Sequence, residues 1–283
     1  MPAKRSPSAP GEADKLIAYQ SRLLKAPRIA EHYHRLAEQG REAGWTLEDY
    51  LGAVLAVESN ARAQSGAHQR IRYAGFSAIK TITDFDFTAQ PGVDRAQIAR
   101  LEAGGWLAEA RNVVLLGPPG TGKTHLATAL AIAAAHAGHR VAFAPATGWI
   151  TRLAEAHRTN RLDAELRKIS RFGLIVIDEV GYIPFDTEAA NLFFQLVSTR
   201  YEKSSIILTS NLPFSRWGQV FGEATIASAM IAADSSAESG GGPTPSTARA
   251  RVHVPAETRS SKAVAARRRR DGRKTILIIF VSA

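Results

Sequence analysis

The stretch "GPPGTGKT", residues 117 to 124, carries the plainest chemistry in this sequence. It follows the apolar run "NVVLL" and opens the Ala-rich run "HLATALAIAAAHAG". Strand, glycine loop and helix in that order are the context required by the phosphate-binding pattern G-x-x-x-x-G-K-[ST]. Glycines let backbone N–H groups curl around phosphate oxygens, and the helix N-terminus adds partial positive charge. The residues expected to hold the phosphates of ATP are Gly117, Pro118, Pro119, Gly120, Thr121, Gly122, Lys123, Thr124 and His125. Lys123 is expected to reach the β- and γ-phosphates, and the Thr124 hydroxyl to ligate Mg²⁺.

A second chemical group ends the run "LIVID". Four apolar residues, Leu174 to Ile177, precede Asp178, as in a strand covered on both faces. Such a strand delivers its terminal carboxylate to the sheet edge beside the phosphate loop, where Asp178 would hold the metal directly or through water. Glu179 follows at once and suits polarisation of an attacking water. Asn211 closes a further apolar run, "IILTSN". It is read either as facing the γ-phosphate or as a cap. An Asp-Glu pair at this place argues against a small-molecule kinase, which needs an acceptor hydroxyl site and not a water-activating acid.

Other polar clusters say less. His32 and His34 in "EHYHR" would point to different faces of a helix, so solvated side chains are expected there rather than a metal site. Phe85 and Phe87 in "TITDFDFTAQPGVD" would pack near a nucleotide base or pin a linker to the core. The run Arg267 to Arg270 would meet nucleic-acid phosphates or be a basic tail without a role.

These groups need elements to position them. The chain has 283 residues, enough for one large or two modest domains. Residues 1–12 are polar and expected to be disordered. Residues 13–80 read as a helical N-terminal domain, with breaks at Pro27 and Gly40. Thr46 and Asp49 have the spacing of a capping box. The helix that they start carries Leu47, Tyr50, Leu51, Val54 and Leu55 on one face and should run toward Gln64. Residues 81–230 alternate strand and helix, which implies an α/β fold with a parallel sheet sandwiched by helices. One helix should end at Gly138, another should break near Asn160, and a third should bury Leu192, Phe193, Leu196 and Val197. Residues 231–283 are Gly/Pro-rich, then basic, and are expected to be disordered.

Composition narrows the classes. The absence of cysteine excludes disulfides and thiolate metal sites. The charged start lacks the apolar core of a signal peptide, and no apolar run is long enough to span a bilayer, so a cytoplasmic location and no membrane partner are expected. The net charge of +10 invites a nucleic-acid reading. However, ten Lys and Arg against two acids fall from Pro243 onward, so most of that charge belongs to the tail.

The stretches "FDFTAQPGVDR", "NVVLLGPPGTGKTHLATAL", "GLIVIDEVGYIPFDTEAANLFFQLVSTRYE" and "ILTSNLPFSRWGQVFG" together resemble the IstB family. Those are ATP-binding helpers of insertion-sequence transposition, similar to DnaC-type helicase loaders within the AAA+ class. The resemblance runs from about Leu16 to Met230. It implies that Asp178 and Glu179 form the Walker B pair and that Asn211 is the sensor 1 residue. It implies a P-loop AAA+ ATPase that assembles as homo-oligomers on duplex DNA and works with a transposase of the same element. A replicative helicase loader is the alternative within the fold. Family members continue after the segment matching "FGEATIASAMI" with an Asp-Arg-Leu, whereas this chain reads "AADSSAESGGG", as a frameshifted or divergent C-terminus would. The expected trans-acting arginine is therefore missing from its place, and Arg216 is a substitute candidate. An ATP-binding remnant without turnover is the third reading.

Overall fold

A computed structural model of the chain describes residues 11–182, 184–213, 216–221 and 277–280. The expectations for residues 1–10 and for the basic run Arg267 to Arg270 fall outside these. The chain divides between Gln69 and Arg70 into two compact units.

The first unit is built from α1 (Glu12–Leu23), α2 (Pro27–Ala43) and most of α3 (Leu47–Tyr73). Pro27 stands in the first turn of α2, where its missing N–H costs nothing. The helix does not break at Gly40. It passes through and ends at Gly44, which is left-handed at φ 68°. At the start of α3 the Thr46 hydroxyl accepts from the Asp49 N–H at 3.1 Å, and the Asp49 carboxylate accepts from the Thr46 N–H at 3.1 Å. That reciprocal pair is a capping box. The Thr46 hydroxyl also donates to the Asp49 carboxylate at 2.8 Å, and that bond, followed by the one from the Thr46 N–H, holds the Asp49 carboxyl below its ordinary pKa. The helix then outruns the expected end near Gln64 and continues to Tyr73. The buried Glu58 ties the unit together. It accepts from the Arg28 N–H at 3.0 Å and from Arg62 Nε at 2.7 Å, while Arg62 also donates to the carbonyls of Leu24 and Lys25.

The second unit begins within the last turn of α3. The sequence reading carries the helical domain to residue 80. However, Arg70 Nε donates to the Ala135 carbonyl at 2.7 Å, the Phe143 N–H donates to the Ala74 carbonyl at 2.6 Å, and the Phe76 and Phe143 rings lie 5.7 Å apart. These bonds attach residues 70–76 to the α/β unit. Its further elements are α4 (Arg95–Glu102), α5 (Gly105–Ala108), β1 (Val113–Leu116), α6 (Lys123–His136), β2 (Val141–Pro145), α7 (Ala146–Arg158), α8 (Leu162–Ile169), β3 (Leu174–Val180), α9 (Thr187–Arg200), β4 (Ser205–Ser210), α10 (Trp217–Phe221) and β5 (Leu277–Phe280).

The strands form one parallel sheet in the order β2-β3-β4-β1-β5. Helices cover both faces. Ile175 and Ile177 of β3 point into a core with Trp149, Leu153 and Phe193, whereas Leu174 and Val176 point into one with Ile98, Leu126 and Leu130. An uninterrupted apolar strand is what such double coverage demands. Among the helix ends expected from sequence, Gly138 follows α6 with φ 100°, and Asn160 separates α7 from α8 with φ 54°. Leu192, Phe193 and Leu196 of α9 are buried, and Val197 is half-buried.

Part of the tail expected to be disordered forms a strand. Leu277–Phe280 pair in parallel with β1, Val113 facing Leu277, and extend the sheet beyond it. "LIIF" shows no amphipathic alternation, but a strand joining a parallel sheet reads as a continuous apolar run and does not alternate. The other tail residues lie outside the described set.

Arg200, 1% exposed, holds the ends of three elements together. Its guanidinium donates to the carbonyls of Ile169 at 3.0 Å, Phe172 at 2.9 Å and Ser205 at 3.0 Å. Burial pushes its pKa down to about 10, still far above neutral pH, so it stays charged. Arg200→Leu strands those carbonyls in the interior. It is expected to cost roughly 3 kcal/mol of stability, read as a lower urea midpoint at an unchanged slope.

Candidate functional site

The sheet order sets what meets at its C-terminal edge. Strand β4 lies between β1 and β3, so the loop after β1, the acid near the end of β3 and the end of β4 become neighbours. Ligands of open parallel sheets bind outside the C-terminal strand ends.

The loop between β1 and α6 holds itself in a ring. The Thr121 hydroxyl donates to the Pro118 carbonyl at 2.9 Å, and Lys123 Nζ donates to the same carbonyl at 2.5 Å. Gly120 and Gly122 are left-handed, at φ 79° and 84°. Gly122 has a second constraint: a Cβ there would lie 2.6 Å from Cε2 of Phe85. Phe85 is buried, edge-on to Phe87 at 4.9 Å and to His125 at 5.4 Å. It belongs to the core around Leu126 and Ile98, so of its two readings the structure supports the linker pin. His125 bonds the same linker, its Nε2 lying 2.8 Å from the Thr81 carbonyl. Lys123 is buried, which pulls its pKa down, while Asp178 pulls it back up by charge attraction.

The acid lies where the sequence expects it. Asp178 is buried, and its Oδ1 accepts from the Thr124 hydroxyl at 3.1 Å. The same oxygen accepts from the Thr209 hydroxyl at 2.5 Å. Thr209 lies two residues before Asn211, the polar residue expected at this strand end. The signal available was a hydroxyl inside a buried strand, since such a group must find a partner. Asn211 itself follows the last residue of β4 and is half-buried.

Glu179 is exposed and left-handed, at φ 60°. That conformation costs a non-glycine residue about 1–3 kcal/mol and persists only where the surroundings over-determine it. The pairing of β3 with β4 slips here. Ile177 faces Leu208 and Val180 faces Ser210, so Asp178 and Glu179 together oppose Thr209. The Glu179 N–H donates to the Thr209 hydroxyl at 2.9 Å, and the Ser210 hydroxyl donates to the Val180 carbonyl at 2.7 Å.

The Thr124 hydroxyl and the Asp178 carboxylate form a pair of hard oxygen donors, which suits Mg²⁺. Elsewhere, His32 Nδ1 lies 3.0 Å from the Arg28 carbonyl, and His34 Nε2 lies 3.3 Å from Asp14. Arg216 is exposed and lies just before α10. Among the described residues no helix is long and apolar enough to cross a membrane.

A family described as IstB-like ATP binding protein matches residues 20–233. An ATP-binding protein of insertion sequence IS21 from Pseudomonas aeruginosa is 42% identical over 208 residues, covering 74% of this chain and 78% of that protein. An ATP-binding protein of insertion sequence IS232 from Bacillus thuringiensis subsp. berliner is 35% identical, covering 74% and 83%. Among solved structures, the DnaC helicase loader is similar over 48% of this chain and 82% of that chain, at 22% identity and a TM-score of 0.43.

The contact between Gly122 and Phe85 predicts a coupling. Gly122→Ala adds a left-handed alanine and an overlap with the Phe85 ring, and should cost about 2–4 kcal/mol. In a Phe85→Ala background the overlap is gone. The same substitution should then cost at least ~1 kcal/mol less in a double-mutant cycle of urea melts.

Proposed function

The chain belongs to the IstB-like ATP-binding proteins, and from that premise we propose that it is a DNA-binding ATPase whose nucleotide cycle controls assembly on duplex DNA for a partner transposase. The observation that carries the ATPase part is the 3.1 Å contact between Thr124, at the start of α6, and Asp178, at the end of β3. It sets a phosphate loop against an acid at the sheet edge where a triphosphate would lie.

In this reading Gly117, Pro118, Pro119, Gly120, Thr121, Gly122 and His125 form the cradle around the phosphates, with backbone N–H groups supplying hydrogen bonds. Lys123 releases the Pro118 carbonyl and turns its ammonium to the β- and γ-phosphates. Thr124 and Asp178 are the residues that would hold Mg²⁺, which when bound neutralises charge on the phosphate oxygens. Glu179 orients and polarises the attacking water, and Asn211 faces the γ-phosphate. ATP becomes ADP and phosphate, and no bond in the DNA changes. ATP binding joins subunits into homo-oligomers along the duplex, and hydrolysis releases them.

The DnaC-like helicase-loader reading shares this chemistry and differs in partner. The remnant reading rests on the C-terminal sequence, where "AADSSAESGGG" replaces the Asp-Arg expected from the family. An arginine supplied across subunits is worth roughly 10³–10⁵ in rate in other phosphate-loop enzymes.

The test is nucleotide binding and hydrolysis by the full chain, with and without duplex DNA. Lys123→Ala is expected to abolish ATP binding, and an unchanged affinity would overturn the site. Glu179→Gln is expected to bind ATP with near-normal affinity but to lower turnover at least about 100-fold, trapping the assembly on DNA. A normal rate from that variant would remove Glu179 from the mechanism. Tight ATP binding without turnover by the unaltered chain would favour the remnant. Co-purification with a replicative helicase and not with a transposase would favour the loader.

A further inference from the structure

Thr209 lies outside the phosphate-loop and Asp-Glu residues, yet it touches both acids of the site. It is 1% exposed and sits in β4, opposite the place where β3 carries its extra residue. A threonine hydroxyl has one proton to give and lone pairs to receive. The Asp178 carboxylate only accepts, so the proton goes to its Oδ1, at 2.5 Å. The Glu179 N–H only donates, so it meets a lone pair of the same oxygen, at 2.9 Å. Each bond polarises the hydroxyl in the sense that strengthens the other. One hydroxyl therefore sets the rotamer of a buried carboxylate and anchors the left-handed backbone of the exposed glutamate beside it. Bulges of this kind re-aim side chains next to reactive sites.

We propose that Thr209 is the positioning residue of this site: its hydroxyl fixes where Asp178 presents its oxygen to the metal and where Glu179 projects its carboxylate. The inference rests on the nucleotide-binding reading above. Thr209→Val keeps the shape and removes the hydroxyl. Asp178 Oδ1 then keeps only the Thr124 hydroxyl of the two, and the Glu179 N–H loses its acceptor. Thr209→Ser keeps both bonds.

The experiment titrates Mg²⁺ into the full chain with a fluorescent ATP analogue present and reads the free Mg²⁺ concentration at half-maximal binding. Outer groups that orient a metal's ligand are worth about 10- to 100-fold in metal affinity. Thr209→Val is accordingly expected to raise that concentration at least about tenfold, with affinity for the analogue in EDTA unchanged within about twofold. Thr209→Ser is expected to match the unaltered chain. Thr209→Ala carries the same expectation as Thr209→Val and replaces it if the valine variant loses the cooperative thermal melt. Unshifted Mg²⁺ dependence in both hydroxyl-free variants overturns the proposal while leaving nucleotide binding intact. A serine variant shifted as far as the valine variant also overturns it, since the methyl group and not the hydroxyl would then matter. Failure of the unaltered chain to bind the analogue with Mg²⁺ removes the nucleotide-binding reading itself, and this inference with it.

Discussion

The Asp178 carboxylate is the point at which the α/β unit converges. It is buried, and a buried ion requires donors. Two hydroxyls supply them, from Thr124 at the start of α6 and from Thr209 in β4. Those donors arrive only if β4 lies between β1 and β3, so the strand order and the chemistry of the edge are one requirement. The slip in register opposite Thr209 serves the same end. It inserts one residue just where β3 must stop being a strand and become a site.

The sheet can meet that demand because its interior is settled elsewhere. Apolar side chains from both faces of β3 enter two separate cores, and helices seal each of them. Two large polar side chains inside are held by bonds to backbone carbonyls. Trp149 donates to the Val176 carbonyl at 2.9 Å, and Arg200 collects three carbonyls at the opposite end of the strands from the phosphate loop. The phosphate-loop end carries two local constraints, the left-handed Glu179 and the tight fit of Gly122 against Phe85.

The first unit follows a different logic. Helical periodicity in "LEDYLGAVL" assigns Leu47, Leu51, Val54 and Leu55 to one face, and the helix forms as expected. Yet Leu47 is 82% exposed, and Leu51 and Leu55 are exposed too, whereas Val54 and the charged Glu58 are buried. Periodicity states which residues share a face. It does not state what packs on that face, because packing is supplied by partners distant in sequence. Glu58 shows the converse: a charge enters the interior because Arg62 and the Arg28 N–H meet it there.

Local chemistry explains what could be read from the sequence alone. The glycine loop, the acid after "LIVI", the capping pair Thr46 and Asp49, and the helix ends at Gly138 and Asn160 are all governed by residues within a few positions of one another. The turn and cap conformations among them need no distant partner, whereas the hydrogen bonds of Asp178 come from Thr124 and Thr209. The long apolar strands announced a parallel sheet for the same reason, since every residue in them must be covered. Three features depended on the tertiary structure. The role of Thr209 required β4 to be set against β3. The burial of Phe85 required the linker to fold over Gly122. The placing of "LIIF" beside β1 required an edge that only the assembled sheet provides. In each case the deciding contact joins segments far apart in the chain, and nothing in the residues near Thr209, Phe85 or Leu277 encodes which distant group will meet them.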